Sequence, residues 1–543
     1  MTRESRADAA GITVSIGALA WATAALVFVL LRFAFLWNAP VGGFELAGLS
    51  GAWQARIGET DARFVPTLFQ ALSAALLHLS SSETPSRILA FLSVTSLPAA
   101  VYLLRPRLGE AGALITLLLL AVDPLGIAVG ASASAMGFDL AIALWLFVAF
   151  SRAKPANWLW AVGALLCATS GPVLLPLVGA IAGVCLVNRR YPTRPQAVAL
   201  AVGVVVGIAS ASFRFGLGWD ALRVPPFVLF NAGFEQAWSG GTAFELSLLY
   251  AIPMLVAGTS AAVVTALRAY GARLVSPETF VLLAWASISL VWLFASSQSQ
   301  NPVALAALTL PLALLAGPAL AEAAVAASRA DWQLARFLVP GAIFVAALAI
   351  AQSVRWARAD KVGEVSERVL VAGLLVMSIS ALGYVAANRK ALPTLLVPAA
   401  LVALLPLMAS TFGIALSSPH EALPSPFSPS QARELRGIAL DSLRPNGGLL
   451  VVHPSFEQDI TWSFRDSGTL VIASRVPENA SILIWPAAAP RPEGFNRLEG
   501  AWNLLQSPTL PTETPLQYLR WFTNRNGLNI SSTAASVYVR EKQ

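Results

Sequence analysis

Trp37-Asn38-Ala39-Pro40-Val41-Gly42-Gly43-Phe44-Glu45 follows directly on an apolar run, Thr13 to Leu36, that is long enough to cross a bilayer. A carboxylate, Glu45, therefore sits just outside the first membrane span. An ionisable group at a membrane surface is costly unless it has a task or a partner. Arg56, Glu59, Asp61 and Arg63 come next, then the short apolar stretch Pro66 to Leu79, then Arg87 at the head of the following apolar run. We read residues 37–86 as a first external loop that carries chemistry, and the remainder of the chain as its mounting.

Composition sets the class. Apolar residues make up 56% of the chain and charged residues 12%, well away from soluble averages. The chain is a polytopic membrane protein by this measure. Weak N-terminal charge (Arg3 and Arg6 against Glu4 and Asp8) and the lack of a small-residue cleavage site mark the first span as retained. The formal charge of +7 calls for no nucleic acid, because many of the positive residues lie in short loops. Cys167 and Cys185 both fall in apolar segments, so neither a disulfide framework nor a metal site is expected from them.

Further spans read as Ile88–Leu104, Ala111–Val129, Leu140–Phe150, Trp158–Thr169, Val173–Val187, Ala197–Ser212, Phe244–Leu267, Phe280–Ala295, Val303–Ala327, Phe337–Ser353, Val369–Ala386 and Leu392–Ala415. With the first, that makes roughly 13 crossings by the hydropathy-window rule. Residues 66–79 are too short to cross and read as a half-helix. On that count the inner loops carry Arg105 and Arg107, Arg152 and Lys154, Arg189, Arg190 and Arg194, Arg268 and Arg273, Arg329, and Arg389 and Lys390. This is the distribution the positive-inside rule asks for with a cytoplasmic N-terminus. The loop from Phe213 to Thr242 then lies outside, with Arg214, Trp219 and Trp238 as interfacial anchors.

The character of the chain changes after Ala415. Residues 417–429 form a Pro/Ser-rich linker. Residues 430–543 read as a small α/β domain. Its predicted elements are a helix over Ser430–Leu443, strands at Gly448–His453, Thr469–Ala473, Ser481–Trp485 and Ala534–Arg540, and a helix over Pro515–Asn526. An odd number of crossings places this domain outside. The expected architecture is thus an all-α membrane domain over residues 1–416 with an external C-terminal α/β domain.

Ser86-Arg87-Ile88-Leu89-Ala90, Tyr102-Leu103-Leu104-Arg105, Leu117 to Pro124, and Gly137-Phe138-Asp139-Leu140 together resemble the front half of the GT-C membrane glycosyltransferases. That superfamily includes the protein O-mannosyltransferases and the lipid A aminoarabinose transferases. In these proteins an Arg opens the second span, a basic turn follows, and a later external loop closes on an Asp. Their first external loop carries an acidic pair, often Asp-Glu, where this chain reads Phe44-Glu45. Thr523-Asn524-Arg525 and Val537-Tyr538-Val539-Arg540 are similar to the tails of bacterial members.

The resemblance implies an inverting transferase that takes a sugar from a polyprenyl-phosphate carrier and passes it to a glycan, lipid or protein acceptor. The reaction would run on the outer face of the cytoplasmic membrane, in the cell envelope. Such a site needs a carboxylate to activate the acceptor hydroxyl and cations to hold phosphate. Glu45 is the candidate base. Asp139 is the candidate for orienting the acceptor or a divalent cation, the one cofactor left open. Arg87 is the first candidate for phosphate or carboxylate, with Arg56, Arg63 and Arg214 as alternates.

Plainer readings stand beside these: Glu45 or Asp139 capping a helix, Arg87 and Arg32 snorkelling to headgroups, and His78 and Glu322 serving structure. Phe44 in the acidic pair keeps open a second class, a non-catalytic relative that binds or presents lipid-linked glycans. A transporter is the third class. It is disfavoured because no internal repeat is visible and the singled-out carboxylates gather on one face rather than at the midplane.

Overall fold

The computed structural model describes residues 15–38, 43–57, 68–80, 82–151, 174–187, 193–214, most of 250–266, 276–295, 305–328, 410–416, 429–446, 449–456, 460–465 without 461, 470–509 and 529–541. The fold is mostly helical, with a small sheet near the C-terminus. Helix α1 (Ile16–Asn38) is a run of 23 residues, apolar but for Arg32 and a few small polar positions, about 34 Å long at 1.5 Å per residue, enough for a ~30 Å hydrocarbon core. Leu19, Leu26, Leu30 and Phe33 face outward from it, while Trp21, Phe28 and Phe35 are buried.

Within the first loop the chain forms α2 (Gly43–Ile57) and α3 (Leu68–Leu77). The stretch read as a half-helix contains α3, whose 10 residues extend about 15 Å. Helices α4 (Thr84–Val94) and α5 (Leu97–Leu103) follow as one apolar stretch from Thr84 to Leu103. A short α6 (Arg105–Leu108) ends at Gly109, whose φ of 76° suits a residue without a side chain.

The span expected over Ala111–Val129 is not a single helix. It divides into α7 (Glu110–Ala121) and α8 (Pro124–Gly130), bent by 68°. The cause is local. Pro124 has no N–H to continue the α7 ladder, and the Asp123 side chain accepts a hydrogen bond from Leu125 N–H, starting a new helix. Helix α9 (Ala135–Phe150) is started in the same way by Ser134, which accepts from Met136 N–H.

Then come α10 (Leu175–Val187), α11 (Arg194–Arg214), α12 (Pro277–Ala295) and α13 (Ala306–Ser328). Helices α7 and α13 approach closely because Gly112 faces Pro318 and Gly317 faces Thr116. A Cβ on Gly317 would lie 2.5 Å from the Gly112 carbonyl oxygen. Among the described residues, two helical stretches, Ile16–Asn38 and Thr84–Leu103, are long and apolar enough to cross a membrane, or three if the bent pair is one span. The expected spans at 158–169, 337–353 and 369–386, and most of 392–415, lie outside the described residues.

The C-terminal unit opens with α14 (Pro429–Asn446) and continues through β1 (Leu449–Val452), β2 (Leu470–Ile472), β3 (Ala480–Pro486), β4 (Phe495–Arg497), β5 (Trp502–Thr509) and β6 (Asn529–Arg540). The sheet runs β2-β1-β3-β6-β4, with β5 also on β6. Strands β1, β2 and β3 are parallel, and β6 is antiparallel to its neighbours. Strands β4 and β5 went unforeseen in the sequence because β4 holds one apolar residue, Phe495, and in β5 Asn503, Gln506, Ser507 and Pro508 break any apolar alternation. The expected helix over 515–526 lies outside the described residues.

One face of this sheet shares a core with the first loop. Leu46, Leu49, Ala52 and Trp53 of α2, Leu77 of α3 and Ala133 cluster with Leu435, Leu450, Val452, Phe456, Ile484 and Val537. Arg465 continues the contact, its guanidinium 4.1 Å from the Trp462 ring and 5.8 Å from the Trp53 ring. The C-terminal unit and the first loop are therefore one packed body.

Candidate functional site

Glu45 lies in the first turn of α2 and Arg87 in the first turn of α4. The structure joins them. Arg87 Nε donates to Glu45 Oε1 at 2.9 Å, and Arg87 Nη2 donates to Glu45 Oε2 at 2.6 Å. The side chains are 8% and 1% exposed for Arg87 and Glu45. This is the fork-to-fork geometry in which a planar guanidinium satisfies both carboxylate oxygens. Snorkelling to headgroups does not describe Arg87 in this geometry.

Oε1 has a further donor. The Ala133 N–H, in the turn between α8 and α9, reaches it at 2.6 Å. One helical turn after Glu45, Gly48 faces the same residue: a Cβ there would lie 2.5 Å from the Ala133 carbonyl oxygen. Helix α2 thus grips the Ala133 peptide by its N–H through Glu45, and the bare backbone at Gly48 makes room for its C=O. Gly137 lets α9 start close against α8, where a Cβ would lie 2.3 Å from the Val129 carbonyl oxygen.

Asp139 is placed differently from the expectation. Helix α9 begins at Ala135, so Asp139 is inside the helix and buried, and Ser134 does the capping. Its neighbour Phe138 packs against Phe69 of α3 and Ala90 of α4, one turn after Arg87. Asp139 therefore belongs to the helix that flanks the ion pair.

Arg56 sits at the far end of α2, about 16 Å along the axis from Glu45, with its guanidinium 4.4 Å from the Trp53 ring. The site gathers Glu45 and Arg87 but leaves Arg56 apart. Arg63 lies outside the described residues, and Arg214 is the last residue of α11. His78 and Glu322 are exposed.

A second polar cluster lies deeper, and the sequence reading missed it. Arg32 is 1% exposed and points into the core, not out to headgroups. Its Nη1 donates to the Phe28 carbonyl and its Nη2 to the Leu120 carbonyl at the end of α7, and the guanidinium stacks 3.5 Å from the Phe28 ring centre. Asp123 accepts from Thr309 Oγ1 at 2.9 Å, and Thr411 Oγ1 donates to the Val122 carbonyl at 2.5 Å. Arg32 and Asp123 flank Gly126, whose missing side chain leaves room for both. Side chains from α1, α13 and residues 410–416 thus satisfy the carbonyls and carboxylate that the α7–α8 break exposes. The break in turn carries the chain to Ala133. The sequence signal was Asp123-Pro124 inside an apolar run.

Among the described residues no group of three or more His, Cys, Asp or Glu forms a metal-binding cluster. The pair itself is a neutral, anchored unit. It can hold α2, α4 and the α8–α9 turn in register, and its guanidinium fork suits any oxyanion that takes the place of the carboxylate.

The sequence matches no family model and no curated protein. Solved structures do match. ArnT from Cupriavidus metallidurans bound to undecaprenyl phosphate aligns at 18% identity and a TM-score of 0.52, over 84% of this chain and 85% of that one. ArnT from the same organism in the apo state aligns at 17% identity and a TM-score of 0.50, with the same coverage. At this identity the likeness speaks for the fold. With the helix order and the C-terminal sheet described above, it shows that the chain shares its fold with these ArnT structures.

Proposed function

We propose that this chain transfers a sugar from a polyprenyl-phosphate-linked donor to a glycan, lipid or protein acceptor on the outer face of the cytoplasmic membrane. The observation that carries the reading is the shared fold with an ArnT solved with undecaprenyl phosphate bound. In the proposed reaction the acceptor oxygen attacks the anomeric carbon, the bond from that carbon to the phosphate oxygen breaks, and polyprenyl phosphate leaves with the electron pair. A carboxylate takes the acceptor proton. Glu45 and Asp139 are the proposed carboxylates, and Arg87 the proposed phosphate ligand. Arg56, Arg63 and Arg214 are alternates, of which Arg56 is disfavoured by its distance along α2.

The same reading puts the N-terminus in the cytoplasm and divides the chain into residues 1–416, a linker over 417–429, and an external unit over 430–543. The core shared by α2 and the C-terminal sheet supports placing that unit on the same side as Glu45.

A second reading, a non-catalytic protein that binds lipid-linked glycans, is favoured by one observation. Both Glu45 oxygens are engaged by Arg87, and the residue before Glu45 is Phe44. Transfer assays with membranes, a labelled polyprenyl-phosphate sugar and candidate acceptors separate the two. A transferase loses roughly 10²–10⁴-fold in rate on losing its general base, here by Glu45→Gln or Asp139→Asn. Wild-type rates in both variants would refute the assignment. Binding of polyprenyl phosphate without any transfer by wild type would select the second reading.

A further inference from the structure

We infer that Arg56 and Arg465 form a phosphate-binding site where α2 meets the C-terminal unit, apart from the Glu45–Arg87 pair. The inference goes beyond the proposed transfer reaction and does not depend on it.

The two arginines come from distant parts of the chain and meet at one indole. Arg56 stands in the last turn of α2, where the negative end of the helix favours a cation. Its guanidinium lies 4.4 Å from the Trp53 ring. Arg465, in the connection between β1 and β2, lies 5.8 Å from the same ring and 4.1 Å from the Trp462 ring. Its Nη1 also donates to the Trp462 carbonyl at 2.7 Å. Trp53 and Trp462 are buried in the core that α2 shares with the sheet, so both rings are fixed supports. Both arginines are themselves half-buried. Two cations held at one ring, partly out of water, repel each other more than they would in solvent. An oxyanion between them turns that repulsion into attraction.

Arg56 carries the inference furthest. Elsewhere the structure commits its inner arginines to protein acceptors: Arg87 to Glu45, Arg32 to the Phe28 and Leu120 carbonyls, Arg107 to the Ser151 carbonyl and Glu278. Arg56 instead has its Nη1 buried without a hydrogen-bond partner among the described residues. A charged N–H taken out of water and left unbonded is costly. A ring engages the face of a guanidinium and leaves the N–H groups in its plane for an oxyanion. Phosphate fits the arrangement better than a carboxylate. The donors come from two elements, and tetrahedral phosphate offers oxygens to both, where a carboxylate offers two in one plane. The phosphate can be free in solution or carried on a lipid headgroup; the recognising chemistry is the same. Bound there, it ties α2 to the C-terminal unit by charge, beside the apolar core that already joins them.

The test is phosphate binding to the purified full chain in phosphatidylcholine nanodiscs, read by ligand-induced thermal shift and by phosphorus NMR. Inorganic phosphate is one arm, and phosphatidic acid added to the nanodisc is the other. Wild type should bind in at least one arm, and that arm names the source. Arg56→Gln and Arg465→Gln should each weaken that binding about tenfold or more, the low end for one charge-assisted hydrogen bond. Arg56→Lys keeps the charge but not the fork, and should fall between wild type and Arg56→Gln. Arg497→Gln removes an exposed positive charge elsewhere in the C-terminal unit and should leave binding as in wild type. If Arg465→Gln does not fold, the two Arg56 variants, at a helix end, decide alone. Folded wild type that binds neither phosphate overturns the inference. So does binding that survives Arg56→Gln, or that Arg497→Gln weakens as much, which would mean net charge alone. No sugar is transferred in these measurements. Their failure therefore leaves the proposed function standing, and failure of the transfer assays leaves this site standing.

Discussion

Replacing Glu45 with Gln leaves the shape of the side chain and removes its charge. The partner it leaves behind is a guanidinium only 8% exposed, held at 2.6 and 2.9 Å in the native pair. Such a cation has lost most of its water and would lose the carboxylate bonded to it. Breaking a buried pair from one side costs about 3–5 kcal/mol, against ~0–1 kcal/mol for a pair in solvent. Arg87→Met should cost a similar amount, because it takes the guanidinium from a Glu45 carboxylate that is 1% exposed. The double variant strands neither charge. It should therefore lose less than the two single losses together, with a coupling of about 1.5–3 kcal/mol, the range for a hydrogen bond to a charged group. Unfolding of the purified chain in detergent, followed by tryptophan fluorescence, gives all four stabilities. Trp53 lies on the same helix as Glu45 and is buried in the core shared with the C-terminal sheet, so loosening of α2 changes its share of a signal summed over 16 tryptophans. Single variants within about 0.5 kcal/mol of wild type, as at ordinary surface sites, would refute the reasoning. So would single losses that simply add.

Gly48→Ala should cost about 1–3 kcal/mol, since its Cβ would meet the Ala133 carbonyl oxygen at 2.5 Å; a neutral effect in the same unfolding assay would show that α2 does not grip that peptide. Arg32→Met should cost about 3–5 kcal/mol by stripping the Leu120 carbonyl and leaving Asp123 without its nearby cation, and a loss below about 1 kcal/mol would mean that the α7–α8 break holds without it. Trp53→Ala should cost about 3–5 kcal/mol and speed limited proteolysis of the C-terminal unit; an unchanged cleavage rate would separate that unit from the first loop. Single cysteines at Glu478 and Pro106 should label from outside and inside whole cells respectively, and the opposite pattern would invert the proposed topology.

Much of this protein is legible in the order of its residues. Long apolar runs and a polar, β-branched tail after Ala415 dictate a mostly helical fold with a small C-terminal sheet. Each is a local property that needs no knowledge of neighbours. The sequence also singled out Glu45 and Arg87, because a charge beside an apolar span is rarely idle. What it did not determine is that the two form one unit. They lie 42 residues apart, and only the packing of α3 against both α2 and α4 brings them into contact. The same holds for Ala133: a backbone N–H has no signature in the residue type, so its role is set wholly by the turn that α8 and α9 make around Gly48. The break at Asp123-Pro124 was written locally, yet it read as one span because apolar periodicity continues through it. Arg32, read as a snorkelling cation, turned inward because the core offered carbonyls, Asp123 and the Phe28 ring, which no one-dimensional pattern places beside it. The sequence decided which segments leave water; the tertiary structure decided which charges meet once they have left it, because pairing depends on distance in space and burial makes an unpaired charge too costly to keep.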